Sequence, residues 1–269
     1  MTSSSPCDPP DPGSARPRPR PGLVRMRRRR RRTVLLGLVL LVAVVGAVAL
    51  TPGGDPAPRP PSAGPGPMAY GADQRTEPTG YPRAGAGSFT AAAGESPVVG
   101  ADGPLRRYRV AVERGTGQDV PAFAAAVDEV LADPRGWTAG GERRVQRVAD
   151  AEVADFTIYL ATPRTSELMC AEGGLSTEGY TSCRLPGKVI INLARWLEAV
   201  PDYGAPLEVY RAYVVNHEVG HEFGEGHEAC PGPGRPAPVM QQQTYGLQGC
   251  VAYAWPWLAG QRYAGEIVP

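Results

Sequence analysis

The chain contains three histidines, and all of them fall in one run: His217-Glu218-x-x-His221-x-x-Gly224-x-x-His227, read in full as HEVGHEFGEGH. Zinc takes a tetrahedral set of nitrogen, oxygen or sulfur ligands, and a catalytic site leaves one position for water. On a helix, residues four apart project from one face a turn apart, so His217 and His221 can meet one ion. Glu218 follows the first histidine, where its carboxylate can reach a zinc-bound water and act as general base. The third ligand must come from beyond the helix. Gly224 permits the left-handed backbone that ends the helix and swings His227 back to the ion. Scattered surface histidines would be the bland explanation, but none is left over to scatter.

These residues need a rigid platform. The spacing predicts a helix from Leu207 to about Gly224, with Tyr210, Val214, His217 and His221 along one stripe, so that the metal face is also the buried face. Upstream, Tyr108–Val112 alternates with period two, as a half-buried strand does. Asp119 is a candidate N-cap with Pro121 in the first turn, and Phe123, Ala126, Val127, Val130 and Leu131 recur at helical spacing before Pro134 and Gly136 stop the helix. Val145–Val148 reads as a short strand. Phe156–Leu160 and Lys188–Asn192 are richer in β-branched and aromatic residues and read as clearer ones. Residues 173–187 read as a loop. The order implies an α/β (α+β) fold with helices against a mixed sheet.

The extended pattern H-E-x-x-H-x-x-G-x-x-H resembles that of the metzincin metallopeptidases. The wider context, with its CPGPGRPAPVMQQQ segment, looks like a family of exported actinobacterial domains of unknown function. The metzincin resemblance implies a twisted mixed sheet, an active-site helix on the floor of a cleft, bound Zn2+ and peptide-bond hydrolysis. It also implies a methionine turn beneath the metal, for which Met240 is the candidate. Some metzincins add a tyrosine ligand two residues after that methionine; here the position is Gln242. No cysteine lies between residues 8 and 169, which excludes a cysteine-switch propeptide in the linker.

Charge and hydropathy divide the chain. Residues 1–32 hold ten Arg against two Asp, and the remaining 18 basic and 25 acidic residues balance to −7. Thr33–Leu50 is an uncharged apolar run of 18 residues, roughly 27 Å long as a helix and close to bilayer thickness. The arginines before it keep the N-terminus cytoplasmic and send the remainder outside. Ala47-Val48-Ala49 offers a signal-peptide cleavage site as the alternative to an uncleaved signal-anchor. The expected organisation is a disordered basic tail (1–32), a transmembrane segment (33–50), a Pro/Gly-rich linker (51–104) and a metzincin-like domain (105–269).

Outside the cytoplasm, four cysteines in one domain read as two disulfides. Three pairings exist; the local one joins Cys170 to Cys183 and Cys230 to Cys250, the second bracketing Met240. Free thiols and cysteine ligation of zinc are the alternatives. Trp255-Pro-Trp257 is expected to pack on the core rather than stack on a carbohydrate, and Glu228 to be solvated. The expected function is peptide-bond hydrolysis by a monomeric, membrane-tethered, extracellular zinc metalloendopeptidase. His217, His221 and His227 would be ligands and Glu218 the base, with protein or peptide substrates and no nucleic acid. The alternatives are a zinc hydrolase for another amide, such as one in a cell-wall peptide, and a non-catalytic zinc module of the envelope.

Overall fold

The period-two segments of the sequence meet in one sheet. The computed structural model describes residues 80–268; the basic tail, the apolar run 33–50 and residues 51–79 lie outside the described residues. Among the described residues no helix is long and apolar enough to cross a membrane. The sheet consists of β1 (Phe89–Ala91), β2 (Leu105–Glu113), β3 (Arg144–Arg147), β4 (Phe156–Ala161), β5 (Cys183–Leu185) and β6 (Lys188–Asn192), in the order β1-β2-β4-β6-β5. The central strands run parallel, with Tyr108 opposite Phe156 and Ile158 opposite Val189, while β1 and β5 are antiparallel borders. β3 pairs in parallel with the start of β2, Leu105 opposite Arg144. Because β4 already occupies the other edge of β2, β3 and β1 share one edge end to end. The result is the expected twisted mixed sheet.

Alternation along β6 sorts the core into two layers. Val189 and Ile191 face a large cluster that includes Phe123, Val127 and Leu131 of α1 (Val120–Ala132). Ile190 faces the opposite side, where Ala161 and the Cys170–Cys183 disulfide lie under α2 (Pro163–Ala171). Side chains such as Ile158, Leu160 and Ile191 are fully buried, each worth roughly 1.5–3 kcal/mol in removal from water. The Asp119 side chain caps α1 by accepting from the Ala122 amide at 2.7 Å.

After β6 come a short helix α3 (Leu193–Glu198) and the long helix α4 (Leu207–Glu222), which packs into the larger cluster. From Phe223 onward regular structure nearly ceases, apart from a 3-10 turn (Gln243–Tyr245) and a hairpin of β7 (Trp257–Leu258) with β8 (Gln261–Arg262).

Several elements differ from the sequence expectation. Order extends ahead of Leu105, into residues expected to be linker: β1 borders the sheet, Tyr81 is buried with its hydroxyl donating to Glu198 at 2.9 Å, and buried Glu113 accepts from the Gly87 amide at 2.8 Å. This Pro/Gly-rich stretch is held by β2, by polar contacts and by a few apolar side chains, with Tyr81 and Ala92 in the larger core cluster and Phe89 against the smaller one. Helices α2 and α3 were not expected, because neither carries a long apolar stripe; both start at side-chain caps, Thr162 and Asn192. β5 lies inside the expected loop 173–187, made a strand by its pairing to β6.

Candidate metal centre

Helix α4 is an interior helix: eleven of its sixteen residues are buried, including His217, Glu218 and the intervening positions before His221. It ends at Glu222, and Gly224 then adopts a positive φ of 94° while the Glu225 amide returns to the Gly220 carbonyl at 3.0 Å. This reversal needs the conformational freedom of glycine. It brings His227 to the two helical histidines, and one ligand nitrogen from each of the three lies within 4.8 Å of the others.

The rings are held from behind. His217 Nδ1 faces the Val239 carbonyl at 2.8 Å, and His221 Nδ1 faces the Glu225 carbonyl at 2.9 Å. A carbonyl only accepts, so each Nδ1 carries the proton and each Nε2 presents a lone pair to the centre. His221 Nε2 and His227 Nε2 are 3.1 Å apart. Tetrahedral ligands at about 2.05 Å from zinc stand roughly 3.3 Å from one another, so this pair is spaced for such an ion. Backbone bonds on both sides fix His227: its carbonyl accepts from the Val268 amide at 3.0 Å, and the next amide, Glu228, donates to the Met240 carbonyl at 3.0 Å.

The electrostatics point the same way. Burial, reinforced by the neighbouring His221, lowers the His217 pKa to about 3. Burial also lowers His221, and burial with His221 lowers His227. The triad is therefore neutral and fit to donate lone pairs. Burial pushes the Glu218 carboxyl up to about 8, and Glu218 joins no ion pair among the described residues. A dication beside it would reverse that shift by supplying the missing counter-charge.

Met240 is fully buried against the motif helix. A β-carbon at Gly220 would lie 2.5 Å from Met240 Sδ and 2.6 Å from Trp137 Cζ2. The motif's second variable position is thus glycine because methionine and tryptophan pack directly on the helix backbone. Trp137 Nε1 adds a bond to the Asn216 carbonyl at 2.9 Å. The sequence offered one sign of this, a glycine in a helix interior where it costs roughly 1 kcal/mol.

Two disulfide-closed loops flank the centre, Cys170–Cys183 and Cys230–Cys250. Between them opens a cleft of about 540 Å³, lined by the three histidines and Glu218, by Thr181–Arg184 on one wall, and by Gln242, Thr244 and Tyr245 on the other. Gln242 therefore borders the cleft where a tyrosine ligand would be expected, and Tyr245 sits exposed on the rim.

Sequence reasoning missed the polar scaffold. Gln243, with no solvent exposure, accepts from the Tyr203 hydroxyl at 2.8 Å and donates to the Pro238 and Tyr253 carbonyls at 3.1 and 2.8 Å. Glu228 is not solvated: it is buried, paired with Arg262 at 2.9 Å and bonded by the Gly265 amide. Glu222, also buried, binds Arg106 and the cleft-wall Arg184 at 3.0 and 2.7 Å. Trp255 packs partly against the core with the Arg135 guanidinium over its ring.

A family model described as protein of unknown function (DUF3152) matches residues 76–255, a span that holds the three histidines, Glu218, Met240 and both disulfides. No curated protein and no solved structure matches the chain.

Proposed function

The chain belongs to the DUF3152 family, and we propose that it is a zinc-dependent peptidase of metzincin type, tethered outside the cell by the apolar run 33–50. The observation that carries this reading is the convergence of three imidazoles beside the buried, unpaired Glu218 carboxyl in an open cleft. His217, His221 and His227 would hold the ion. Bound zinc supplies Lewis-acid chemistry, polarising a carbonyl and making water nucleophilic near neutral pH.

The remaining work falls to the chain. Glu218 takes a proton from the attacking water and delivers it to the departing amine. The Val239 and Glu225 carbonyls keep two of the rings in the tautomer and orientation that ligation requires. Among the described residues β5 pairs with β6 alone, and its residues Cys183 and Arg184 line the cleft. An extended peptide can bind along such an edge as an added strand, which supports a peptide substrate over a compact small molecule. A buried carboxylate beside the histidines argues against a purely structural zinc, which would close its fourth position and need no base. The two disulfides accord with a site outside the cytoplasm.

The reading is tested by incubating purified protein with a peptide library and with peptidoglycan fragments. Peptide cleavage should disappear on chelation and return with zinc. Cleavage that survives complete removal of metal would overturn it, and cleavage of peptidoglycan fragments alone would assign the site to cell-wall amides.

A further inference from the structure

Arg195, on α3, is a buried cation without an anion. It is 8% exposed, its Nε and Nη1 have no hydrogen-bond partner, and it joins no ion pair among the described residues. The guanidinium lies over an aromatic ring, 4.4 Å from the centroid of Tyr180. An aromatic face offsets part of the cost of burying the charge but leaves the in-plane N–H groups unused. A guanidinium presents those groups as a fork suited to a carboxylate.

The position of this cation matters. Tyr180 meets Tyr245 at 6.4 Å between ring centroids, and Tyr245 lines the cleft. Arg195 also lies near enough to the Tyr210 hydroxyl to oppose its upward shift from burial, and that hydroxyl bonds Thr244 on the cleft wall at 2.8 Å. The backbone leading into Tyr180 is pinned. Glu167 accepts from the Thr177 and Gly179 amides at 2.9 and 3.1 Å, and Asn192 Nδ2 donates to the Gly179 carbonyl at 2.9 Å. Tyr180 itself is 37% exposed, and its ring touches both the buried guanidinium and cleft-lining Tyr245.

We propose that Arg195 receives a carboxylate of the substrate at the Tyr180–Tyr245 end of the cleft, which makes this a site for peptides carrying either a free C-terminus or an acidic side chain there. The proposal rests on the peptidase reading for its substrate class. Arg195 is a specificity residue in it and takes no part in bond cleavage.

The test uses the full chain and three N-acetylated tetrapeptides: one with a free C-terminus, its C-terminal amide, and an amide with one internal Asp. Binding is measured by calorimetry on Glu218→Ala protein and cleavage on the otherwise unchanged enzyme. The free acid or the Asp peptide should bind roughly 10- to 100-fold more tightly than the neutral amide, as a charged hydrogen-bonded pair provides. Whichever of the two is preferred identifies the source of the carboxylate. Arg195→Met should erase that preference and leave affinity for the neutral amide unchanged, and Arg195→Lys should restore part of it. Since Arg195→Met removes an uncompensated buried charge, its melting temperature should hold or rise, whereas a purely structural arginine would lower it. Equal binding of acid and amide, a preference that survives Arg195→Met, or binding of none of the three peptides would overturn the proposal. Carboxylate-selective binding with no cleavage of any peptide would instead remove the peptidase reading and leave the anion site standing.

Discussion

The two halves of the domain are built on different principles, and the candidate centre lies on their seam. Residues 89–192 are organised by the six-stranded sheet, whose strands are held to one another by ladders and whose buried side chains pack in shared clusters. Residues 223–268 have almost no ladder. Their path is set by isolated backbone bonds, such as the Ala237 amide to the Val251 carbonyl at 2.8 Å, and by single side chains: Gln243 on three partners, Asn216 donating to the Ala254 carbonyl at 3.0 Å, the Tyr213 hydroxyl donating to the Gln241 carbonyl at 3.2 Å, and the Cys230–Cys250 bridge. Helix α4, which joins the two, carries His217 and His221, and the irregular half delivers His227 and the carbonyl behind His217. A ladder spreads its stability over many bonds. The irregular half concentrates it in few, so one substitution there should disturb the metal as well as the fold.

A pair of variants breaks this comparison most directly. Ile158→Ala empties a fully buried site in the sheet and should cost about 2–5 kcal/mol in denaturant unfolding, with zinc affinity of the folded protein unchanged. Gln243→Leu takes the partner from the buried Tyr203 hydroxyl and the Tyr253 carbonyl, and one of two donors from the Pro238 carbonyl, which keeps the Gln241 amide at 3.0 Å. It should cost about 2–5 kcal/mol, each abandoned group contributing roughly 1–3. Because Pro238 leads into Val239 and Met240, it should also weaken zinc binding roughly 10-fold or more, as loss of a group supporting a ligand does. Competition with a chromophoric chelator reads the second effect; equal zinc affinity in the two variants would dissolve the distinction.

The disulfides sharpen it. They close loops of similar length, with sequence separations of 13 and 20, so removing either should cost about 3 kcal/mol through the unfolded chain. The account separates them by function. Cys230→Ala with Cys250→Ala should loosen zinc, because that loop contains Val239 and Met240. Cys170→Ala with Cys183→Ala should lower the melting temperature and leave zinc affinity intact.

How much was legible follows the same seam. Lys188–Asn192 is β6 at the bounds expected, and Phe156–Leu160 is β4 less one residue, because branched and aromatic runs announce strands. The spacing of His217, His221, Gly224 and His227 expressed the geometry of a helix and its end. The local cysteine pairing matches the two bridges present. Nothing local marked Gln243 or Glu228 as buried, since their partners come from distant segments. β1 was hidden because its order comes from β2, and Arg195 because a lone arginine in sequence looks like any surface cation.

Gly220→Ala gives the smallest effect and reports on the contact between the halves. Alanine gains up to about 1 kcal/mol of helix propensity over glycine. The added carbon collides with Met240 and Trp137, and overpacking of this kind costs typically 1–3 kcal/mol. The net should be a destabilisation of about 1–2 kcal/mol, partly relieved by Met240→Ala in the same chain. A stabilised Gly220→Ala protein would mean that Met240 does not press on the helix.

The central claim, a zinc centre whose base is Glu218, is tested most directly by turnover of a cleavable peptide by zinc-loaded Glu218→Ala beside the unchanged protein. The account predicts stoichiometric zinc in both and a fall in turnover of roughly 100- to 10,000-fold in the variant, the usual contribution of a positioned general base. Full turnover without the Glu218 carboxylate, or an active unchanged protein that holds no zinc, would contradict it.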